Sequence, residues 1–155
     1  MDKKHQDRVQ WVYSSKNNSE LSRKYDEWAK DYDKDLSEFF GWVAPKTASS
    51  YLVKYVSSES IVLDAGAGTG LVGRALAEYG FQNLTAMDLS EGMLKQAQDK
   101  NVYKKFDQMV LGDPLGYATD SFDAVISVGV MTLGHAGPDS FDELLRITRP
   151  YGYIV

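Results

Sequence analysis

The segment Ile61-Val62-Leu63-Asp64-Ala65-Gly66-Ala67-Gly68-Thr69-Gly70 constrains this chain more than any other. An apolar run with β-branched residues gives way to glycines at every second position, and an amphipathic pattern follows. The run reads as a buried strand, the glycines as a tight loop and the continuation as a helix. Glycine tolerates left-handed backbone angles and lets a ligand approach the main chain closely. The helix after it offers unpaired N–H groups and a partial positive charge in its first turn. Together these features describe a loop moulded around a cofactor, although dinucleotide-binding loops use the same physics.

The rest of the chain supplies a frame for that loop. Leu21, Tyr25, Trp28, Ala29, Tyr32, Leu36, Phe39 and Phe40 recur at spacings of three and four, which predicts a helix from Ser19 that Gly41 ends, with Asp33 or Asp35 as an interruption. The aromatic stripe suits a core and a cofactor wall equally. A second helix is expected over 47–56, with Ala48, Tyr51, Leu52 and Tyr55 inward. Leu71, Val72, Ala75, Leu76 and Tyr79 give the helix after the glycines its buried side, with Gly80 as its C-cap. Leu84 to Met87 forms a second strand closed by Asp88, and Ser90 caps a helix running to about Lys100. A short third strand is expected over 108–111, ending at Gly112-Asp113, and a fourth over 122–128. A helix over 139–148 turns Phe141, Leu144, Leu145 and Thr148 inward, and Arg149-Pro150-Tyr151-Gly152 stops it before a fifth strand at 153–155. Strands alternating with helices predict a doubly wound parallel α/β sheet of Rossmann-like type, with helices ahead of it. Residues 1–18 read as a flexible arm or short helix, and 19–155 as one domain.

Composition removes several classes of function. The 155 residues carry a net charge of −5, which argues against a nucleic-acid footprint or a polybasic membrane patch. There is no cysteine and the two histidines are far apart, so neither a disulfide framework nor a zinc site is expected. No 18-residue apolar run and no signal-peptide pattern occurs, and the default compartment is the cytoplasm, or else the nucleus.

Three carboxylates fall at expected strand ends: Asp64, Asp88 and Asp113. Ligands of open parallel sheets bind beyond those ends, and three acceptors around a glycine loop suit a ligand rich in N–H, ammonium and hydroxyl donors. Asp88, 18 residues past Gly70, is placed to hold ribose hydroxyls. Leu71 stands where the dinucleotide fingerprint needs a small residue, and no basic partner for a phosphate accompanies the loop. The arrangement suits a nucleoside bearing an amino acid, its carboxylate on backbone N–H groups and its ammonium drawn toward Asp64.

These motifs resemble the class I S-adenosylmethionine-dependent methyltransferases. The resemblance is carried by the glycine segment, by Met87-Asp88-Leu89-Ser90-Glu91-Gly92-Met93-Leu94, by Gly112-Asp113, by Ser121-Phe122-Asp123-Ala124-Val125-Ile126 and by Leu144-Leu145-Arg146-Ile147-Thr148-Arg149-Pro150. Upstream, Tyr25-Asp26-Glu27-Trp28-Ala29-Lys30-Asp31-Tyr32 is similar to the aromatic leading helix of small-molecule methyltransferases in this class. The resemblance implies S-adenosyl-L-methionine as cofactor, with Ala65, Gly66, Gly68 and Gly70 along its methionine part and Asp88 on the ribose. It implies Leu89, Met93 and Pro114 or Leu115 around the adenine, Asp113 on its exocyclic amine, Gly129 to Met131 beside the sulfonium, and Tyr25 and Tyr32 closing over the whole.

In-line attack on a sulfonium needs alignment and exclusion of water more than a dedicated catalytic group, so no catalytic residue is assigned. His135, after the fourth strand, is the histidine near the expected site, where a surface-loop role competes with that of a base. The expected acceptor is a small molecule. The family sheet has seven strands, so a chain ending at Val155 is expected to lack the last ones and to leave its fifth strand as an apolar edge, open to a second copy. A cofactor-binding module without turnover is the alternative reading, and a nicotinamide oxidoreductase a weaker one.

Overall fold

The computed structural model describes residues 3–132 and 135–155, except for the side chains of 3–7, 39 and 40. The expectation for Met1 and Asp2, and the inward placing of the Phe39 and Phe40 rings, lie outside the described residues.

The glycine segment folds as its pattern dictates. β1 (Val62–Ala65) is fully buried, as a strand covered on both faces must be. α4 (Leu71–Glu78) starts directly after Gly70, whose φ of +87° only glycine adopts readily. β2 (Leu84–Asp88) and α5 (Glu91–Gln98) repeat the unit, with the Ser90 Oγ accepting from the Met93 N–H at 3.0 Å as an N-cap. β3 (Lys105–Gln108), β4 (Phe122–Ile126), α6 (Ser140–Ile147) and β5 (Thr148–Ile154) complete an all-parallel five-stranded sheet in the order β3-β2-β1-β4-β5. The α/β Rossmann-like fold expected from the alternating pattern is the observed one. Val62 pairs with Leu84 on one side and Ala124 on the other, so strand order reverses between β1 and β4 and the crevice opens at their carboxyl ends.

Alternate residues of the strands feed two cores. Val62, Leu84, Ala86, Ala124 and Ile126 face α4 and α5 together with α3 (Ala44–Leu52), which carries Pro45 in its first turn. Leu63, Met87, Phe122 and Val125 face the other way, onto Leu144 and Ile147 of α6. Phe141 and Leu145, expected inside, are 45% and 62% exposed, because α6 meets the sheet only along the Leu144–Ile147 side. Tyr51, Tyr55 and Tyr79 also stand outside, on faces that no other layer covers.

Two strands differ from expectation. β3 lies at Lys105–Gln108 rather than 108–111, because this edge strand has no fully buried residue and its polar residues disguise it. β5 begins at Thr148, directly after α6, so Arg149, Pro150, Tyr151 and Gly152 belong to the strand instead of preceding it. Its pairing with β4 shifts register between Phe122 and Ala124, and Tyr151 takes a φ of +64° there, as at a bulge.

The first helices form a third, smaller cluster across the strand ends. α1 (Lys3–Tyr13) and α2 (Asn18–Asp35) enclose Val12, Leu21 and Trp28. Arg8 of α1 donates to Asp31 at 3.0 Å and to Asp35 at 2.7 Å, and Trp28 Nε1 donates to the same Asp35 oxygen at 2.8 Å. At Asp35 the helix loosens into a π turn, Leu36–Phe40, which Gly41 ends with a left-handed φ of +54°. The interruption expected at Asp33 or Asp35 therefore takes the form of a wider turn rather than a break.

Tyr103, between α5 and β3, lies flat on Gly73 of α4, where an added Cβ would come within 2.1 Å of the ring. Gly73→Ala is expected to lower the unfolding free energy by about 1–3 kcal/mol, read from chemical denaturation; an unchanged midpoint would mean the ring does not pack there.

Candidate functional site

Asp88 organises the loop at the carboxyl ends of β1 and β2. Its Oδ2 accepts from the Gly68 N–H at 2.8 Å and its Oδ1 from the Ser90 N–H at 2.9 Å. Burial raises its pKa, and the Ser90, Gly68 and Leu89 N–H groups oppose that rise. The Gly66 and Ala67 N–H groups bond the Met87 carbonyl at 2.8 and 2.9 Å, so the loop hangs from the end of β2. Gly66 turns at φ +81°, and a Cβ there would lie 2.2 Å from Val130 Cγ2. Gly68 turns at φ +53° and its missing Cβ faces open space.

α2 crosses above this loop and is strapped to it by polar contacts. Asp26 accepts from Ser90 Oγ at 2.6 Å and from the Gly92 N–H at 2.8 Å. Ser22 Oγ donates to the Leu89 carbonyl at 3.0 Å. Asp33 accepts from Thr69 Oγ1 and from Lys100 Nζ, which also reaches the Thr69 carbonyl at 2.6 Å. A helix held at both ends in this way roofs a cleft with two lobes, each open to solvent, of about 530 and 900 Å³. Tyr25, Tyr32, Gly66, Gly68, Val128 and Gly129 belong to both lobes. The first adds Asp88 and an apolar slot of Leu89, Met93, Met109 and Leu111, together with His135. The second adds Tyr13, Trp28 and Trp42. Such mixed walls, mostly apolar with a few polar groups, are usual for small-ligand sites.

The structure thus brings Tyr25, Tyr32, Gly66, Gly68, Asp88, Leu89, Met93 and Gly129 to one cleft. It does not bring Asp64, Ala65, Gly70, Asp113, Pro114 or Leu115 to its wall. Ala65 is buried at the end of β1, its carbonyl accepting from Ser127 Oγ at 2.8 Å. Gly70 packs against Tyr103 and Ala97. Asp113 and Pro114 are exposed, and Leu115 lies in the core beneath α6, its N–H donating to Glu143 at 2.6 Å. The third strand's earlier end is the reason: the residues that follow it into the cleft are Met109 and Leu111. Val130, within the expected stretch from Gly129 to Met131, lines the first lobe, whereas Trp42 and Val128 were missed, and only their position after a helix end or a strand end could have suggested them.

Comparison with known proteins agrees with this geometry. The family described as "Methyltransferase domain" matches residues 63–155. Methyltransferase-like protein 27 from Homo sapiens is 36% identical over 134 residues, covering 84% of this chain and 54% of that protein. A demethylmenaquinone methyltransferase from Clavibacter sepedonicus is 35% identical over 146 residues, covering 91% and 58%. Among solved structures, an S-adenosyl-L-methionine-dependent methyltransferase from Methanococcus maripaludis superposes with a TM-score of 0.66 at 21% identity, covering 83% of this chain and 62% of that one. The chain belongs to this methyltransferase-domain family. It spans a little over half the length of these two curated relatives. Among its described residues no helix is long and apolar enough to cross a membrane, and no group of side chains is arranged to hold a metal.

In this methyltransferase domain Asp64 faces the protein rather than the cleft. The Tyr103 hydroxyl donates to its Oδ2 at 2.5 Å and accepts from the Gly73 N–H at 3.0 Å. Asp64 Oδ1 is buried without a hydrogen-bond partner. Burial pushes the Asp64 carboxyl up to about 7, against the opposing bond from Tyr103. Since the folded value lies above the unfolded one, the native state holds a proton that the unfolded chain releases. Its contribution to stability is greatest below about pH 4 and is lost as the pH rises to about 7, with an upper limit of about 4 kcal/mol. Asp64→Asn keeps an acceptor for Tyr103 and removes the titration. The expected result is a melting temperature that falls from pH 4 to 7 in the parent relative to the variant; parallel profiles would contradict a raised Asp64.

Proposed function

We propose that this chain binds S-adenosyl-L-methionine in the cleft beneath α2 and directs its methyl group to a small-molecule acceptor. The observation that carries the reading is the pairing of the glycine loop with Asp88 at the reversal of strand order, under a roof of aromatic rings. When bound, the cofactor would supply a sulfonium methyl group open to in-line attack by a nucleophile, with the thioether as leaving group. The residues fit it. A carboxylate has about four acceptor positions, and Asp88 uses two of them on the Gly68 and Ser90 N–H groups, which leaves capacity for ribose hydroxyls. Leu89, Met93, Met109 and Leu111 make an apolar slot for a flat base, taking the part first expected of Pro114 and Leu115. The open side of Gly68 admits a ligand against the backbone, which any Cβ there would obstruct. Tyr25 and Tyr32 cover the ligand from above and exclude water, which leaves alignment as the main catalytic device.

A small acceptor is favoured by the aromatic second lobe and by the demethylmenaquinone methyltransferases among the relatives. Calorimetry of the 155-residue chain is expected to give binding of S-adenosylmethionine and S-adenosylhomocysteine and none of NAD, and Asp88→Ala is expected to weaken that binding at least ~10-fold, the loss of a charge-assisted pair of hydrogen bonds. Binding of NAD alone would sink the reading. Tight binding of both methionine cofactors with no transfer to any acceptor would favour a binding module instead.

A further inference from the structure

The second lobe of the cleft is walled by rings from three places in the chain: Tyr13 on α1, Tyr25, Trp28 and Tyr32 on α2, and Trp42 after it. Trp28 stacks on Tyr25 with ring centroids 6.3 Å apart and meets Tyr32 edge-on at 4.8 Å. No charged side chain lines this lobe among the described residues. Such a chamber offers π faces and no ion partner, so it suits a flat, uncharged ring and gives nothing to a carboxylate or phosphate.

One wall of the chamber is connected to a base. The Tyr25 oxygen lies 2.8 Å from His135 Nε2, and His135 Nδ1 lies 3.0 Å from Thr132 Oγ1. Burial raises the Tyr25 pKa, with Tyr32, Tyr13 and Asp88 adding to the rise, so the phenol keeps its proton and is able to donate it to Nε2 in the tautomer that carries its proton at Nδ1. An imidazole that accepts at Nε2 while neutral carries its proton at Nδ1, where Thr132 Oγ1 is in place to accept it. In that tautomer the basic nitrogen of His135 is directed at the hydroxyl of Tyr25, a residue that lines both lobes. His135 itself lines only the first lobe, so Tyr25 stands between it and the aromatic chamber. The Tyr13 ring, edge-on to the imidazole at 5.0 Å, fixes its plane.

We infer that the acceptor is a phenol-class aromatic hydroxyl seated in the second lobe, and that Tyr25 and His135 form the path by which it loses its proton. This rests on the methyltransferase reading of the cleft. The acceptor oxygen forms its bond to the methyl carbon as the bond from that carbon to the sulfonium breaks, leaving a neutral thioether. The acceptor proton passes to the Tyr25 oxygen while the Tyr25 proton passes to His135 Nε2. The positive charge lost at sulfur thus appears on the imidazolium, which releases its proton to solvent afterwards. A phenol of pKa about 10 is about 0.1% ionised at pH 7, so without such a path nearly all bound acceptor would be unreactive. Tyr25 touches the acceptor and is the catalytic residue; His135 acts through it.

Two measurements on the 155-residue chain test the inference. In the first, methyl transfer from S-adenosylmethionine is followed with phenol, 4-chlorophenol and 4-nitrophenol for the parent, Tyr25→Phe and His135→Gln, each checked for native circular dichroism. Both variants are expected to lose on the order of 100-fold in kcat/KM with phenol, with the loss shrinking to less than about 3-fold for 4-nitrophenol at a pH where it is already ionised. Equal losses across the series would mean a structural role and overturn the proton path. Failure of the parent to methylate any phenol, while calorimetry still shows cofactor binding, would overturn the acceptor class and leave the cofactor reading standing. Failure of that binding would instead remove the cofactor reading itself. The second measurement needs no turnover: long-range 1H–15N correlation of the cofactor-free chain is expected to show His135 protonated at Nδ1 and bare at Nε2, with that preference reduced in Tyr25→Phe. A proton on Nε2 in the parent would overturn the inference.

Discussion

The carboxylate of Asp88 holds together two turns that would otherwise be independent. One oxygen gathers the Gly68 N–H and the other the Ser90 N–H, so the loop after β1 and the start of α5 are fixed to the end of the same strand. A loop with positive φ at Gly66, Gly68 and Gly70 has little side-chain packing to define it, and external hydrogen bonds must set its shape. Burying an acidic group for that purpose is costly unless donors surround it, and three backbone N–H groups oppose the rise in its pKa. The same donors leave the outer lone pairs turned toward the cleft, so the group that shapes the loop is also the one best able to recognise what the loop encloses.

The roof depends on that floor. Asp26 reaches Ser90 and Gly92, and Asp33 reaches Thr69 and Lys100, so α2 is anchored to the loops that Asp88 has already fixed. These anchors are partly exposed and individually weak, since solvent competes for each of them. What keeps the helix in place between them is apolar: Trp28 and Leu21 close over Val12 of α1, while Leu89 packs from below. Arg8 and Trp28 then meet at Asp35, at the point where the helix widens into its π turn. The roof is therefore a small unit of its own, with a packed upper side and a lower side of aromatic rings left to face the cleft.

Much of this was legible in the sequence, for a definite reason. Strands buried on both faces must be continuous apolar runs, and helices on such a sheet must show a stripe at three and four, so β1, β2, β4, α4 and α5 fell where the pattern put them. The Ser90 cap and the Gly41 and Gly80 stops were visible because each needs a particular residue type. β3 was not, because it is an edge strand with no fully buried residue, and its Lys105 and Gln108 look like loop. That displacement of three residues carried the expected site past Met109 and Leu111 to Asp113, Pro114 and Leu115. Asp64 misled differently. Its position at a strand end suggested a ligand, and only Tyr103, a residue 39 positions away, turns it inward.

The two buried carboxylates of the loop divide their work by what surrounds them. Asp88 is met by backbone N–H groups on both oxygens, and Asp64 by one phenol on a single oxygen. Burial raises the pKa of both; the backbone donors oppose the rise at Asp88, and at Asp64 burial carries the carboxyl up to about 7. Two charges at the ends of paired strands would repel across a dry interior, and the rise at Asp64 includes a contribution from Asp88. Keeping one of them protonated removes that repulsion. It leaves a single negative centre at the mouth of the cleft, opposite aromatic rings that carry no charge, and a ligand with hydroxyl donors at one end and an apolar body at the other is oriented by that contrast alone.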